Sequence, residues 1–374
     1  MIYLDNAATT NKKPKSVINA VNNALTNYSV NTGRGGYSLA ISAGEKIYNT
    51  RKAVAEFFSL NDPAGVVFTP SCTQAINMVL KGNLGAYDEV LISNLEHNAV
   101  VRPCYKLSEN GVKYRLFDAF SDNIYEELNS KISENTKMVF CTHASNVCGK
   151  VLPLKEIGEF CKNNNLLFGV DCAQTAGVFP ISMADMNIDF LCVAPHKGLF
   201  APTGTGILLS RKNIEKTVIE GGTGVNSTEL RQPTDLPERL ESGTLNLPGI
   251  FGVFAGVNFV KNIGVSKIYE HENALCNYLK KGMEKNKKIK KYWFDGVSAP
   301  VLSFAVENRN SEEIAEEFNK RKIAVRAGLH CAPIAHKTIG SFAGGTVRVS
   351  PSFFNTKQEI DYFLNSLELI TKKI

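Results

Sequence analysis

The sequence has little of what marks secreted, disulfide-bonded or nucleic-acid-binding proteins. Its nine cysteines are an odd number and no two of them have CxxC spacing, which excludes a small disulfide scaffold and favours a reducing cytoplasm. The first residues show no charged stretch followed by an apolar core, so we expect no signal peptide. The net charge of +6 is too small to predict a nucleic-acid partner.

Long hydrophobic runs, internal repeats and metal-binding clusters are missing as well. The most apolar long segment, residues 247–260, is interrupted by Pro248 and several glycines and is too short to span a bilayer, so we predict a buried helix and no membrane partner. No group of His, Cys and Asp has zinc-like spacing, and we therefore predict no metal site. The content of 44% hydrophobic and 21% charged residues is ordinary for a globular protein, and a length of 374 residues predicts two domains, or one large domain with a smaller attachment.

Short apolar runs alternate with longer amphipathic ones between residues 66 and 210. This alternation predicts an α/β fold with a mostly parallel sheet covered by helices on both faces, and ligands in such folds bind beyond the carboxyl ends of the strands. From about residue 261, a charged helical stretch and alternating apolar runs predict a smaller α+β unit that ends in a helix. The predicted strands of the large sheet are residues 66–69, 89–93, 138–142, 166–171, 189–193 and 206–210.

Polar residues follow the predicted strands where they end, and the most informative of them is Lys197. A lysine that follows a buried strand, next to His196, is explained if its amine has a pKa lowered by burial and forms a Schiff base with an aldehyde. An exposed loop lysine is the more frequent alternative. Cys72 and Thr73 open a helix after the first strand of the sheet, and free backbone N–H groups there suit a phosphate, although a plain helix cap explains the pattern equally well.

Two further strand ends add an imidazole and a carboxylate. His97 opens a helix, where its flat ring can stack on an aromatic ligand or simply face solvent. Asp171 ends an all-apolar strand, and a buried carboxylate there needs a cation such as a protonated ring nitrogen, unless it only caps a helix. An amine, a carboxylate, a stacking ring and a phosphate-binding helix start at one sheet edge together match the needs of pyridoxal phosphate (PLP).

The motifs, taken together, resemble those of the class V aminotransferase-fold enzymes, and the sequence is most similar to the group II cysteine desulfurases and selenocysteine lyases. The resemblance covers nearly the whole length, and it depends on the combination of motifs rather than on any single one. The matching segments are Tyr3-Leu-Asp-Asn-Ala-Ala-Thr-Thr10, Asn31-Thr-Gly-Arg-Gly-Gly36, Cys72-Thr-Gln-Ala-Ile-Asn77, Glu96-His97, Ser145-Asn146-Val147, Asp171-Cys-Ala-Gln174, His196-Lys197, Glu241-Ser-Gly-Thr-Leu-Asn246, Arg326-Ala-Gly-Leu-His-Cys331 and Thr346-Val-Arg348.

This resemblance implies a PLP-dependent transferase of fold type I, with a large domain at residues 15–255 and a small domain formed by residues 1–14 and 256–374. Lys197 would carry the cofactor as a Schiff base and shuttle the substrate proton, Asp171 would pair with the pyridine nitrogen, and His97 would stack on the ring as a catalytic residue. The resemblance assigns the other cofactor contacts to the ring (Gln174, Asn146), to the phosphate (Cys72, Thr73, His196) and to the phosphate of the partner subunit in a homodimer (Thr244).

The implied activity is that of a PLP-dependent cysteine desulfurase, a sulfurtransferase that converts L-cysteine to L-alanine. Arg348 and Asn146 would bind the substrate, with the planar fork of Arg348 on its α-carboxylate. Cys331 would take the sulfur as a persulfide, and His330 or Arg326 nearby would favour its thiolate form. The resemblance also implies a sulfur-acceptor protein as a partner, and we expect a cytoplasmic location.

The sequence departs from the family at three places, and several alternatives stay open. Ala194-Pro195 replaces a usual Ser-Gly pair, Cys72 replaces a threonine, and Leu329 replaces a frequent histidine. The alternatives are a selenocysteine lyase, another class V transaminase or lyase acting on a different amino acid, and a non-catalytic protein that retains the fold. The thiol of Cys331 argues against a transaminase, whereas the presence of the lysine and the aspartate argues against a non-catalytic protein.

Overall fold

The computed structural model describes residues 1–32 and 35–372, so that Gly33 and Arg34 of the motif at residues 31–36 lie outside the described residues. In chain order the strands are β1 (Ile2–Tyr3), β2 (Val66–Thr69), β3 (Glu89–Ser93), β4 (Lys113–Phe117), β5 (Thr136–Thr142), β6 (Leu167–Asp171), β7 (Phe190–Val193), β8 (Gly206–Ser210), β9 (Ile289–Lys291), β10 (Leu302–Val306), β11 (Ile323–Ala324), β12 (Arg326–Gly328) and β13 (Thr346–Val349). The helices are α1 (Lys15–Asn27), α2 (Ser38–Phe57), α3 (Cys72–Asn83), α4 (Asn98–Ser108), α5 (Ile124–Lys131), α6 (Leu154–Asn163), α7 (Leu247–Ile263), α8 (Val265–Met283), α9 (Ser311–Lys320), α10 (Pro333–Thr338) and α11 (Lys357–Lys372).

A seven-stranded sheet with the order β2-β8-β7-β6-β5-β3-β4 lies at the centre of the molecule. The pairs from β4 to β7 are all parallel, and β8 runs antiparallel to both of its neighbours, β2 and β7. All six strands predicted for this sheet are present, and the predicted α/β class with a mostly parallel sheet is confirmed. Because β2 and β7 are both antiparallel to β8, their carboxyl ends lie at the same edge as those of β3, β5 and β6.

Two apolar cores lie on opposite faces of this sheet because successive side chains of a strand point in opposite directions. In β3, Leu91 packs into one core, while Val90 and Ile92 pack into the other. Side chains of α1, α2, α5, α6 and α7 complete the first core, and side chains of α3 and α4 complete the second. The sheet is therefore covered on both faces, as its near-continuous apolar strands indicate.

A smaller antiparallel sheet with the order β12-β13-β10-β9 forms a second unit with helices α8, α9 and α11. Strand β1, at the start of the chain, pairs in parallel with β11 and so belongs to this unit in space. Phe304, Phe318 and Phe363 are fully buried in its core, where the rings of Phe318 and Phe363 stack 4.7 Å apart. The domain limits at residues 14/15 and 255/256 stay a prediction, and the second of them falls within α7.

Some elements differ from the sequence prediction. Strand β4 was not predicted because it is an edge strand whose Lys113 and Arg115 are exposed, so it lacks the apolar run of its neighbours. Within the predicted small unit, residues 323–328 form two short strands that pair in different sheets, β11 with β1 and β12 with β13. Helices α1 and α2 precede the alternating region from which the fold was predicted.

Residues 247–263 form a helix, as predicted for 247–260, and nine of its residues are buried. Within residues 1–32 and 35–372 no single helix has the length and hydropathy to cross a membrane, and α7 with α8 reaches that level only as a pair bent by 80°. In the described part of the chain, no three His, Cys, Asp or Glu side chains are grouped as metal ligands.

Candidate active site

The residues that follow the carboxyl ends of the central strands line one cavity. Asp171 is the last residue of β6, and Lys197 lies in the loop after β7. The side chains and backbone around the cavity belong to Ser71, Cys72, Thr73, Ile76, His97, Ala99, Thr142, Asn146, Asp171, Ala173, Gln174, Ala194, His196 and Lys197. The structure thus brings together every residue that the sequence predicted as a cofactor contact, except Thr244.

Lys197 and Asp171 are the charged centre of this cavity. Burial lowers the pKa of Lys197, although the nearby charge of Asp171 opposes that shift. Burial also raises the pKa of Asp171, whose Oδ1 accepts a hydrogen bond from the Ala173 N–H at 2.9 Å and from the Cys72 thiol at 3.7 Å. A lowered pKa increases the uncharged fraction of the lysine, which is the form that acts as a nucleophile or a base.

Helix α3 begins at the cavity wall and offers an anion-binding site. Ser71 caps the helix by accepting a hydrogen bond from the Gln74 N–H at 3.2 Å. Cys72 and Thr73 are the first helical residues, so their N–H groups have no acceptor within the helix. Gly206 of β8 lies so close to this turn that a Cβ atom there would overlap the backbone of Ser71 and Cys72. The N-terminus of α3, where the helix dipole is positive, therefore lines the cavity and packs closely against β8.

Two histidines of the cavity are neutral at physiological pH. Burial, with a contribution from the charge of Lys197, lowers the pKa of His97 to about 4 and that of His196 to about 4. The Nδ1 atom of His97 accepts a hydrogen bond from the Ala99 N–H at 3.0 Å, so the proton of the neutral ring is on Nε2. The Nδ1 atom of His196 lies 3.0 Å from the hydroxyl oxygen of Thr9.

Residues 7–13, here called the N-terminal strap, hold the backbone of the Lys197 loop. The carbonyl oxygen of His196 accepts hydrogen bonds from the Thr10 N–H at 3.2 Å, the Thr10 hydroxyl at 3.0 Å and the Lys13 ammonium at 3.0 Å. The Thr10 hydroxyl is also 3.2 Å from the carbonyl oxygen of Lys197. The strap therefore fixes the two peptide units that carry the cavity lysine.

Arg348 and Asn146 lie beside the cavity and are linked to each other. Arg348, in β13, is only 1% exposed, and its Nη1 donates to the carbonyl oxygen of Asn146 at 3.1 Å. The Nη2 atom forms an ion pair with Asp5 Oδ1 at 2.7 Å. Among the described residues, neither Nε of Arg348 nor Oδ1 of Asn146 has a hydrogen-bond partner, although both atoms are buried. One unpaired donor and one unpaired acceptor are thus available to a ligand.

Cys331 lies in an exposed loop that is tied to two sides of the cavity. Its carbonyl oxygen accepts a hydrogen bond from the Asn98 N–H at 2.7 Å, and the carbonyl oxygen of His330 accepts one from the Asn146 amide at 2.8 Å. His330 and Cys331 both have left-handed backbone conformations, with φ of 49° and 58°. Such angles are costly for residues other than glycine, so these contacts hold the loop in place.

The structure separates the two groups that the sequence offered as helpers of the thiol. Arg326 Nη2 lies 3.6 Å from the Cys331 sulfur. The Nε2 atom of His330 lies 2.9 Å from the Thr346 hydroxyl, and burial lowers the pKa of His330 to about 2, so this ring carries no positive charge near neutral pH. Of the two residues, Arg326 is therefore the one that contacts the thiol, whereas the Nε2 atom of His330 is bonded to Thr346.

Thr244 does not lie in the Lys197 cavity of its own chain. It is exposed on the loop before α7 and lines a second cavity together with Thr32 and Glu241. Glu241 anchors this loop, because it forms a buried ion pair with Arg51 at 2.5 Å and accepts a hydrogen bond from the Phe68 N–H at 2.6 Å. The loop is therefore fixed to β2 while Thr244 stays accessible.

Sequence reasoning missed the contacts that the N-terminal segment makes with the site. The motif at residues 3–10 was recognised, yet Asp5 and Thr10 received no role. Their partners, Arg348 and His196, are 343 and 186 residues away along the chain, and no local pattern indicates such a pairing. Asp5 lies two residues after β1, and a strand of two residues is too short to be recognised from the sequence.

Comparison with known proteins gives a consistent result for the whole chain. The family model described as "Aminotransferase class-V" matches residues 2–363. A protein of Methanothermobacter thermautotrophicus named "Probable cysteine desulfurase" is 32% identical, over 99% of this chain and 94% of its own length. A protein of Borreliella burgdorferi with the same name is 30% identical, over 100% of this chain and 92% of its own length.

Solved structures agree with this result. The apo structure of a cysteine desulfurase from Thermococcus onnurineus superimposes with a TM-score of 0.93 and 30% identity, covering 100% of this chain and 95% of that chain. A cysteine desulfurase from Escherichia coli superimposes with a TM-score of 0.87 and 25% identity, over 100% of this chain and 95% of that chain.

Proposed function

The chain belongs to the class-V aminotransferase family, and on this premise we propose that it is a PLP-dependent cysteine desulfurase that converts L-cysteine to L-alanine and takes the sulfur on Cys331. The observation that carries this proposal is the exposed Cys331 thiol, which lies next to Arg326 on a loop bonded to the cavity. A thiol in that place is needed for sulfur transfer and has no use in amino-group transfer.

The residues around the cavity fit PLP. Lys197 would attach the cofactor through its amine, Asp171 would pair with the ring nitrogen, and the start of α3 with His196 would hold the phosphate. The buried Oδ1 of Asn146, unpaired within the described residues, supports a ligand with a hydrogen-bond donor at that point. When bound, PLP withdraws electrons from the α-carbon of the amino acid and makes its α-proton acidic.

Lys197 is the base that moves this proton. Burial lowers the pKa of its amine, which increases the fraction able to accept a proton at neutral pH. The strap fixes the carbonyl groups of His196 and Lys197, so the amine is carried on a backbone that does not shift. The same amine can return the proton to the α-carbon, so that the product alanine regains the hydrogen that the substrate gave up.

Arg348 is the group that binds the substrate α-carboxylate. Its guanidinium is buried, and its Nε is an unpaired donor in the described part of the chain. A buried donor without a partner costs on the order of 1–3 kcal/mol, which a bound carboxylate recovers. The Asn146 side chain, held by the His330 carbonyl group, orients its free oxygen towards the ligand amine or the cofactor.

Cys331 performs the sulfur transfer. Its thiolate attacks the sulfur of the substrate cysteine, a sulfur–sulfur bond forms, and the bond between that sulfur and the substrate β-carbon breaks. The electron pair of the broken bond stays on the carbon, which is protonated to give alanine, and the sulfur remains on the enzyme as a persulfide. The Arg326 guanidinium donates a hydrogen bond to this sulfur, with Nη2 at 3.6 Å from it.

We further propose a homodimer, a sulfur-acceptor protein as partner and a cytoplasmic location. Thr244 is exposed and apart from the cavity of its own chain, which supports a contact with the site of a second subunit. Cys331 is exposed, which an acceptor of its persulfide requires. All nine cysteines are free thiols, which supports a reducing compartment.

The proposal is tested by incubating the PLP-loaded protein with L-cysteine and measuring alanine, sulfide and protein-bound persulfide. We expect equal amounts of alanine and transferred sulfur from the native chain. Cys331→Ala and Cys331→Ser should lower alanine formation by at least 10²-fold, because the acceptor of the sulfur is removed while the cavity is untouched. The visible absorbance of bound PLP should be unchanged in both variants.

Two outcomes would contradict the proposal. Alanine formation at the native rate in Cys331→Ala would remove the persulfide step, and no turnover of L-cysteine by the native chain would remove the substrate. L-Selenocysteine presents the same kind of atom to Cys331, so the ratio of kcat/KM for the two amino acids, measured in the same assay, assigns the preferred element.

A further inference from the structure

The contact between Asp5 and Arg348 shows how the proposed carboxylate site is organised, and we infer that Asp5 is a positioning residue for substrate binding. The inference rests on the proposed role of Arg348 towards the α-carboxylate. Asp5 Oδ1 lies 2.7 Å from Nη2 of Arg348, and the Asn146 carbonyl oxygen lies 3.1 Å from Nη1. These two acceptors occupy the two terminal nitrogens, and Nε is left without a partner among the described residues.

The two acceptors fix the plane of the guanidinium. A guanidinium group is planar, so hydrogen bonds to both terminal nitrogens determine the direction of the Nε–H bond as well. Removing one acceptor frees the group to rotate about its last side-chain bonds. Asp5 therefore fixes the direction of the Nε–H bond, the unpaired donor that Arg348 offers to a carboxylate.

The backbone around Asp5 is held on both sides, which makes it a rigid support. The Leu4 N–H donates to the Ala324 carbonyl at 2.9 Å, and the Leu4 carbonyl accepts from the Ser350 N–H at 2.7 Å. The Asn6 N–H donates to the Ser350 carbonyl at 3.2 Å. Ser350 is two residues beyond Arg348, so the ion pair and the strand pairing join the same two segments of the chain.

Charge balance gives Asp5 a second effect on the same group. Arg348 is 1% exposed, and an unpaired buried cation is strongly unfavourable, so Asp5 compensates the guanidinium charge before the substrate binds. The Asp5 side chain is 19% exposed, more than its partner, and it lies on the solvent side of the pair. A purely structural ion pair would share this feature, so the test has to separate substrate binding from stability.

The test compares Asp5→Ala, which removes the acceptor, with Asp5→Asn, which keeps an acceptor oxygen of the same size. For the PLP-loaded enzyme we expect Asp5→Ala to raise the KM for L-cysteine and the Kd for L-alanine about tenfold, with kcat within about threefold of the native value. Asp5→Asn should restore both constants to within about threefold. The Kd for ethylamine, which is alanine without its carboxylate, should stay unchanged in both variants.

The controls separate the possible failures. Asp361→Ala removes a carboxylate of the small unit that contacts Tyr278, and it should change none of these constants. Equal losses for L-alanine and ethylamine, or a lower kcat at unchanged KM, would overturn the positioning role, and so would Asp5→Asn behaving like Asp5→Ala. Arg348→Ala tests the proposed role of Arg348 separately. If Arg348 binds the α-carboxylate, this variant should lose the preference for L-alanine over ethylamine. Asp5→Leu, which keeps the bulk, replaces Asp5→Ala if that variant does not fold.

Discussion

Glu96 is a fully buried carboxyl group directly before His97, at the end of β3. Its Oε1 accepts hydrogen bonds from the Ser93 hydroxyl at 2.5 Å and from the Thr142 N–H at 2.8 Å, while Oε2 has no partner in the described part of the chain. Burial raises the pKa of Glu96 to about 8, although these hydrogen bonds oppose the shift. The carboxyl group is therefore mostly protonated in the folded protein at neutral pH.

This raised pKa predicts a pH dependence of stability. Between pH 4.5 and 8 the folded chain keeps a proton on Glu96 that the unfolded chain releases, so the stability from this group is complete below pH 4.5 and is lost as the pH rises towards 8. Glu96→Gln has no such proton to lose. When the pH rises from 5 to 8, we expect the native chain to lose about 1–3 kcal/mol more of its free energy of unfolding than Glu96→Gln loses, as measured by urea denaturation.

The matched control for this prediction is Glu45→Gln on the exposed side of α2, which should follow the native curve at every pH. Curves for Glu96→Gln and the native chain that run parallel from pH 5 to pH 8 would show that Glu96 is ionised in the folded protein.

At the scale of single residues, the sequence predicted those that follow strand ends and missed those that depend on distant partners. Asp171 is the last residue of β6, and His97 and Lys197 each lie four residues beyond the ends of β3 and β7, so the positions of the strands were enough to bring them together. Asp5 depends on the fold of the small unit, where the residues after β1 pair with Ser350, after β13, across almost the whole chain. Sequence position carries no information about such a contact.

At the scale of elements, Asp5 and the N-terminal strap together connect the two units at the site. Asp5 precedes the strap and contacts Arg348 of the small sheet, while Thr10 and Lys13 within it contact the loop that carries Lys197. Burial lowers the pKa of Lys13 to about 8, which is consistent with an ammonium group enclosed between the strap and the His196 carbonyl group. One short segment thus supports both the proposed carboxylate clamp and the proposed base.

The strap makes a testable contribution to cofactor binding. Thr10→Val keeps the shape of the side chain and removes the hydroxyl that donates to the carbonyl groups of His196 and Lys197. Loss of a hydrogen bond worth about 1 kcal/mol should raise the Kd for PLP about fivefold, measured by absorbance titration of the cofactor-free protein. Thr26→Val in α1, whose hydroxyl bonds only within its own helix, should leave that Kd unchanged. An unchanged Kd in Thr10→Val would show that the strap does not support the cofactor site.

Elements were predictable where one physical signal dominated. The buried strands of the central sheet have continuous apolar runs, and helices α4 and α6 have amphipathic patterns. Strand β4 has an exposed edge and therefore a mixed pattern, and β11 and β12 are too short to show any period. Pairing with other strands, rather than local sequence, produces these elements.

At the scale of the whole molecule, the position of Thr244 fits the homodimer proposed above. Ion pairing of Glu241 with Arg51 holds the loop firmly to the large sheet, yet Thr244 remains exposed beside a second cavity. A fixed and accessible hydroxyl is suited to a site that another chain completes. In a symmetric dimer each chain would give its Thr244 to the site of the other and receive one in return.

This arrangement predicts that two defective variants can complement each other in a mixed dimer. Lys197→Ala lacks the base in every site, and Thr244→Ala lacks the contact proposed for the phosphate of the partner. In a mixed dimer, one site would combine Lys197 of one chain with Thr244 of the other and would be complete, while the second site would carry both defects. Random exchange of equal amounts should therefore give about a quarter of the sites native properties, measured as alanine formation at limiting PLP. If both residues of a site came from one chain, the mixture would show only the average of the two variants, because no mixed dimer could then contain a complete site.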